Sequence, residues 1–133
     1  MDAINENQHS NSKGIRKLES GNYEIGTLLF KVKMLCLYDV NGKEIELNYQ
    51  QAKLLKMLLE DDDHFISKET AINIFWEDDK DVTKKSDLYD RFNTCVARLR
   101  KALSKDKDIE LLCKTKKGYQ LIVNNNPTEK ENE

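Results

Sequence analysis

Residues 88–103, LYDRFNTCVARLRKAL, constrain the fold more than any other stretch. At the helical repeat, Leu88, Phe92, Cys95, Val96, Leu99, Ala102 and Leu103 fall on one side within an arc of about 120°. A helix with so wide an apolar stripe is stable only when other elements cover it, so the chain must build a core around it. Asp90, Arg91, Thr94, Ala97, Arg98 and Lys101 fall on the opposite side. Arg91, Thr94, Arg98 and Lys101 follow one another at steps of three, four and three, which makes a single stripe. Asn93 and Arg100 lie on its flank, and pairing with a carboxylate inside the fold is one role open to Arg100. An ordinary exposed helix face mixes charge signs; here Asp90 alone opposes the cations.

The elements around this helix follow from periodicity. YEIGTLLFKV, KMLCLYD and EIELN, within residues 23–47, read as short strands. Asn41-Gly42 between two of them is a hairpin signal, because both residues tolerate positive φ. The expectation is a small antiparallel sheet. NYQQAKLLKMLLEDDD then switches to helical spacing, with Ala52, Leu55, Leu58 and Leu59 on one face. Asn48 is its N-cap, Gln51 completes a capping box, and carboxylates at the negative helix end stop it within EDDD. Phe65-Ile66 form a bridging strand. Ser67 caps a second helix with Ala71, Ile72, Phe75 and Trp76 as apolar positions. Residues 78–87 are polar and read as a loop, so the third helix starts near Leu88. IELLCKTKKGYQLIV reads as strand, turn, strand, with the turn near Lys116–Gly118. Residues 1–20 and 124–133 have almost no apolar content and are expected to be disordered tails flanking an ordered domain at 21–123.

Charge is unevenly divided. The 133-residue chain has a net charge of −2, but Lys84–Gly118 holds eleven Lys/Arg and five Asp/Glu, a local +6 that leaves −8 for the remainder. Phosphate binding responds to the local field rather than the average. A cationic helix face followed by a hairpin tipped with Lys114, Lys116, Lys117 and Gly118 is a winged-helix arrangement suited to duplex DNA. The fold class is α+β: an N-terminal antiparallel sheet, three helices and a C-terminal hairpin wing. Arg98 is the first choice for base contact, since its fork can bond guanine O6 and N7 together. Thr94 and Asn93 are further candidates, with ordinary surface roles equally open. The short Ala97 allows close approach to a thymine methyl. Lys101, Arg91, Lys114, Lys116 and Lys117 are read as phosphate neutralisers.

Other functions find little footing. No Gly-rich phosphate loop or nucleophile motif is present, and neither His9 nor His64 has an evident partner, so an enzyme is not expected. Cys36, Cys95 and Cys113 form no C-x-x-C pair, which argues against a metal site and fits small apolar residues in a reducing cytoplasm. Asp61–Asp63 read as a solvated turn. No cofactor is expected. No apolar run reaches the roughly 20 residues of a membrane helix.

Four pieces, in order, resemble the C-terminal effector domain of OmpR/PhoB-type bacterial transcription regulators, the output half of two-component systems. GKEIELNYQQAKLLKMLL resembles its strand and first helix, ISKETAINIFW its second helix, VARLRKAL its recognition helix, and KTKKGYQLI its wing. The resemblance covers about residues 23–123. It implies DNA binding by helix 88–103 in the major groove and by wing 114–118 on the backbone or minor groove. It implies phosphate contacts from the Trp76 indole N–H and the Tyr119 hydroxyl, with core packing the other role open to Trp76. It also implies that loop 78–87 can contact RNA polymerase, and that two copies sit in tandem on adjacent half-sites. Departures fall at Asn48 and Gln50-Gln51 in the first helix, at Asp90-Arg91, at Ala97-Arg98 where the family often has two arginines, and at Lys116 in the wing turn. The family's receiver domain has no counterpart within residues 1–22. A winged-helix protein-interaction module without DNA binding is the alternative, motivated by these departures and the acidic remainder.

Overall fold

A computed structural model of the chain describes residues 14–115 and 117–124. Five short strands open it: β1 (Ile15–Lys17), β2 (Tyr23–Ile25), β3 (Leu28–Lys31), β4 (Cys36–Tyr38) and β5 (Glu44–Ile45). They form an antiparallel meander in chain order. Period-two alternation turns Tyr23, Ile25, Leu28, Phe30, Leu37 and Ile45 inward, and all are buried. The first strand lies inside the stretch expected to be a tail. Ile15 pairs with Ile25 and is only 5% exposed, so one buried side chain recruits the segment to the sheet. The remaining tail residues, 1–13 and 125–133, lie outside the described residues.

The Asn41-Gly42 hairpin forms, but positive φ is needed at Gly42 only (φ 83°). Asp39 does the rest of the work there: its carboxylate accepts from the backbone N–H of Asn41 and of Lys43, both at 2.9 Å.

Helix α1 (Tyr49–Glu60) begins with the expected capping box. Asn48 Oδ1 accepts from Gln51 N–H at 2.8 Å, and Gln51 Oε1 accepts from Asn48 N–H at 3.1 Å. The helix stops at Asp61, whose carboxylate accepts from Asp63 and Phe65 N–H at 2.9 and 3.1 Å. Those acidic residues therefore build a turn, as expected. His64 has a partner that the sequence did not reveal. Its backbone is left-handed (φ 54°), its carbonyl accepts from Leu121 N–H at 2.8 Å, and its Nδ1 lies 3.1 Å from the Leu58 carbonyl. A carbonyl can only accept, so Nδ1 carries the proton and the ring is a structural strut.

Strand β6 (Phe65–Ser67) leads into α2 (Lys68–Phe75), capped by the Ser67 hydroxyl accepting from Thr70 N–H at 3.0 Å. A single 3₁₀ turn, Glu77–Asp79, follows. Helix α3 then runs Lys85–Leu103, one turn longer at its start than the apolar stripe indicated. Lys85, Ser86 and Asp87 add no apolar side chain, and Lys84 supplies no side-chain cap, so nothing in the pattern marks that turn. The chain closes with β7 (Ile109–Lys114) and β8 (Gly118–Val123), and the order β6-β8-β7 makes a second sheet.

Gly118 is the first residue of β8, not a turn residue: it pairs with both Lys114 and Ser67. A Cβ there would run into the Ile66 carbonyl and the Ser67 Cα, so glycine is needed for the close approach of β8 to β6.

One core joins both sheets and all three helices. Phe30, Phe92, Leu54, Leu55, Leu58 and Leu99 are at its centre, each fully buried. A polar latch ties the halves together. Asp106, past the end of α3, accepts through Oδ2 from Thr27 N–H (2.8 Å) and Thr27 Oγ1–H (2.9 Å), and through Oδ1 from Asp108 N–H (2.9 Å). The turn reaches that carboxylate because Gly26 adopts φ 58° and has no Cβ to strike Asp106 Oδ2.

Candidate nucleic-acid interface

Helix α3 presents the site. Leu88, Phe92, Cys95, Val96, Leu99 and Leu103 are buried, and Ala102 is half-buried. Packing of α1 and α2 against that face fixes the helix's rotation. Arg91, Asn93, Thr94, Ala97, Arg98 and Lys101 consequently stand exposed on its other side. Burial pushes the Cys95 thiol up to about 11, which keeps it a neutral core group.

The wing is locked to this helix by Arg100. Its Nη2 and Nε donate to the Leu111 carbonyl at 2.7 and 3.3 Å, and its guanidinium lies over the Tyr119 ring, 5.8 Å from the centroid. The partner of Arg100 is therefore a backbone carbonyl of the wing rather than a carboxylate. Tyr119 in turn packs on Phe92, ring centroids 5.7 Å apart. Burial, and secondarily the neighbouring Cys113, raise its phenol pKa, so it stays protonated as a hydrogen-bond donor. Lys114 and Lys117 are exposed at the wing tip, and Lys116 lies outside the described residues. Helix α3 and the wing lysines thus belong to one rigidly braced unit.

At the other end of the stripe, Gln50, Trp76, Asp90, Arg91 and Thr94 line an open hollow of about 340 Å³. Trp76 is the C-cap of α2 and only 8% exposed. It packs edge-on to Phe75 at 5.6 Å, so it is a core residue that also borders the hollow. Gln50 was not anticipated. The capping box located the start of α1, but only tertiary packing brings that start beside α3. Arg91, read from the sequence as a phosphate neutraliser, is engaged within the protein: its Nη1 donates to Asp79 Oδ2 at 2.8 Å, and its guanidinium lies 6.0 Å from the Trp76 ring centroid.

Helix α3 is also tied to α2. Tyr89 Oη–H donates to Glu69 Oε2 at 2.7 Å, Lys85 pairs with the same carboxylate at 3.6 Å, and Lys68 sits over the Tyr89 ring at 4.6 Å. Among the described residues, no group of His, Cys, Asp and Glu is arranged to hold a metal ion. None of their helices is long and apolar enough to cross a membrane.

Comparison with known proteins agrees with this architecture. The chain is 29% identical over 112 residues to the transcriptional regulatory protein RprY of Bacteroides fragilis (strain YCH46), covering 84% of this chain and 44% of that protein. It thus spans under half the length of the curated relative it matches. Residues 42–121, from the β4–β5 turn through most of β8, match the family model described as "Transcriptional regulatory protein, C terminal". With the N-terminal sheet, three helices and wing in place, the chain belongs to this family of C-terminal domains of transcriptional regulatory proteins.

Proposed function

We propose that the domain binds duplex DNA sequence-specifically and thereby regulates transcription. Helix α3 enters the major groove and wing residues 114–118 lie on the backbone or in the minor groove. One observation carries the reading: the residues of α3 left exposed by packing form a cationic stripe, braced by Arg100 to a wing tipped with Lys114 and Lys117. A helix fits the major groove with its exposed side chains against base edges, while lysines neutralise phosphates and release counterions. Arg98, Thr94, Asn93 and Ala97 face bases in this arrangement. Lys101, Lys114, Lys116, Lys117 and Arg91 serve phosphates, joined by Tyr119 and by Trp76 at the hollow. The protein-interaction alternative offers no reason for +6 in residues 84–118 against −8 elsewhere.

Arg98 and Lys101 separate specificity from affinity. Arg98→Ala should weaken the selected site by about 1–3 kcal/mol and relax the preference at one base pair. Lys101→Ala should weaken all sequences alike. Titration of both variants against selected and mixed duplexes decides this. Equal loss by Arg98→Ala on both duplexes would make Arg98 a phosphate contact only, and retained affinity in both variants would remove Arg98 and Lys101 from the interface. Failure of the unaltered protein to bind either duplex would favour the protein-interaction reading.

Two further partners belong to the proposal. Stretch 78–87, whose residues from Lys85 onward are the first turn of α3 and whose Val82 is 82% exposed, offers a surface for RNA polymerase. A single domain with so few phosphate contacts should bind weakly, so useful affinity is expected when two copies occupy adjacent half-sites. Calorimetric titration against one half-site and two checks this; nanomolar binding to one half-site in physiological salt would contradict it.

A further inference from the structure

The Arg91–Asp79 pair changes what the cationic stripe can deliver. Both side chains are part-exposed, 42% and 43%, and one Nη1···Oδ2 contact of 2.8 Å joins them. Asp79 closes the 3₁₀ turn, Glu77–Asp79, that directly follows Trp76, and its carboxylate meets Arg91, which lines the hollow with Trp76 and Thr94. Lys80 pairs with Glu77 at 3.5 Å, which leaves Asp79 to Arg91. By contrast, the side chains of Arg98, Lys101, Lys114 and Lys117 make no hydrogen bond or ion pair to another described residue.

We propose that Asp79 is an internal competitor for DNA phosphate, holding Arg91 in the free protein and thereby setting both the strength and the salt dependence of binding. This rests on the DNA-binding reading above. A part-exposed pair is weak, so phosphate can take Arg91 from it. The exchange costs the pair, however, and it leaves the Asp79 carboxylate exposed beside DNA. It also alters the ion count. When Arg91 moves to a phosphate, a counterion leaves the DNA, but the Arg91–Asp79 pair that must be broken is itself weakened by salt, so part of Arg91's contribution to the salt dependence is offset. The wild-type slope of log K against log salt should then be shallower than the about −4.5 of five free cations, towards the about −3.6 of four (Lys101, Lys114, Lys116 and Lys117).

The experiment is a titration of the wild type, Asp79→Asn and Asp79→Asn/Arg91→Gln against a mixed-sequence duplex over a range of salt. A mixed sequence suffices because a phosphate contact is indifferent to sequence. Asp79→Asn should bind about two- to fivefold tighter near 0.1 M salt. Its slope should steepen, by up to about 0.9, the full contribution of one cation. Both gains should disappear in the double variant. Unchanged or weaker binding by Asp79→Asn would overturn the proposal and make the aspartate a neutral neighbour or a buttress for Arg91. A gain that survives in the double variant would overturn it as well, because removing any nearby carboxylate would then suffice. If the wild type and Asp79→Asn both fail to bind duplex even at low salt, the DNA-binding reading itself falls, an outcome distinct from either.

Discussion

Replacing Phe92 by alanine is expected to lower the unfolding free energy by about 3–5 kcal/mol and to abolish DNA binding with it. Phe92 is fully buried in the middle of α3 and its ring packs against Tyr119 of the wing. Truncation leaves a cavity in the core beside Tyr119 of β8, and the surrounding backbone can close only part of it. The whole stability of a domain this size is roughly 5–15 kcal/mol, so the variant would sit close to unfolding. The braced geometry of α3 and wing includes that contact, and the wing lysines would lose their fixed separation from Arg98. Urea unfolding measures the first effect, and duplex titration in the cold, where the variant remains folded, measures the second. A loss under about 1.5 kcal/mol would mean that the site collapses around the smaller side chain.

The second large effect is expected at Asp106, and it depends on pH. The carboxylate is 8% exposed and accepts three hydrogen bonds. Burial by itself raises its pKa; the bonds from Thr27 N–H, Asp108 N–H and the Thr27 hydroxyl outweigh burial and hold it below the usual carboxylate value. A folded-state pKa below the unfolded one means that the native protein binds fewer protons. The latch therefore contributes fully above about pH 4, the unfolded value, and is lost as pH falls through the lower folded value. Asp106→Ala should cost about 2–3 kcal/mol at pH 7, with the Thr27 N–H left without its acceptor. The gap between wild type and variant should narrow steadily below pH 4. Urea unfolding of both proteins at pH 7, 5 and 3 tests this, and parallel curves at all three would show that the carboxylate's charge is irrelevant to the latch.

The division between what was legible in the chain and what was not follows the range of the interactions. Local rules sufficed for most elements. The 3.6-residue period marked the buried face of α3, and the burial of Leu88, Phe92, Cys95, Val96, Leu99 and Leu103 follows it. The Asn48/Gln51 capping box, the Ser67 cap and the Asn41-Gly42 turn all lie within a few residues of the backbone groups they satisfy, so sequence alone locates them. The winged-helix class, the family and the exposed stripe of α3 follow from these elements in order.

What escaped depended on partners distant in sequence or on elements too short to show a period. Strand β1 spans three residues with one inward side chain, which no window can distinguish from a tail. The first turn of α3 is polar and without a side-chain cap, so its start was misplaced at Leu88. Asp106 and Thr27 are 79 positions apart, and neither residue type predicts the other. Gln50 reaches the hollow only because α1 packs on α3. Arg91 and Asp79 are 12 positions apart across a loop of no periodic pattern. Sequence therefore assigned Arg91 its charge, while tertiary structure decided how much of that charge is available. Charge is a property of the residue, but electrostatic free energy depends on the distances that only the folded chain sets.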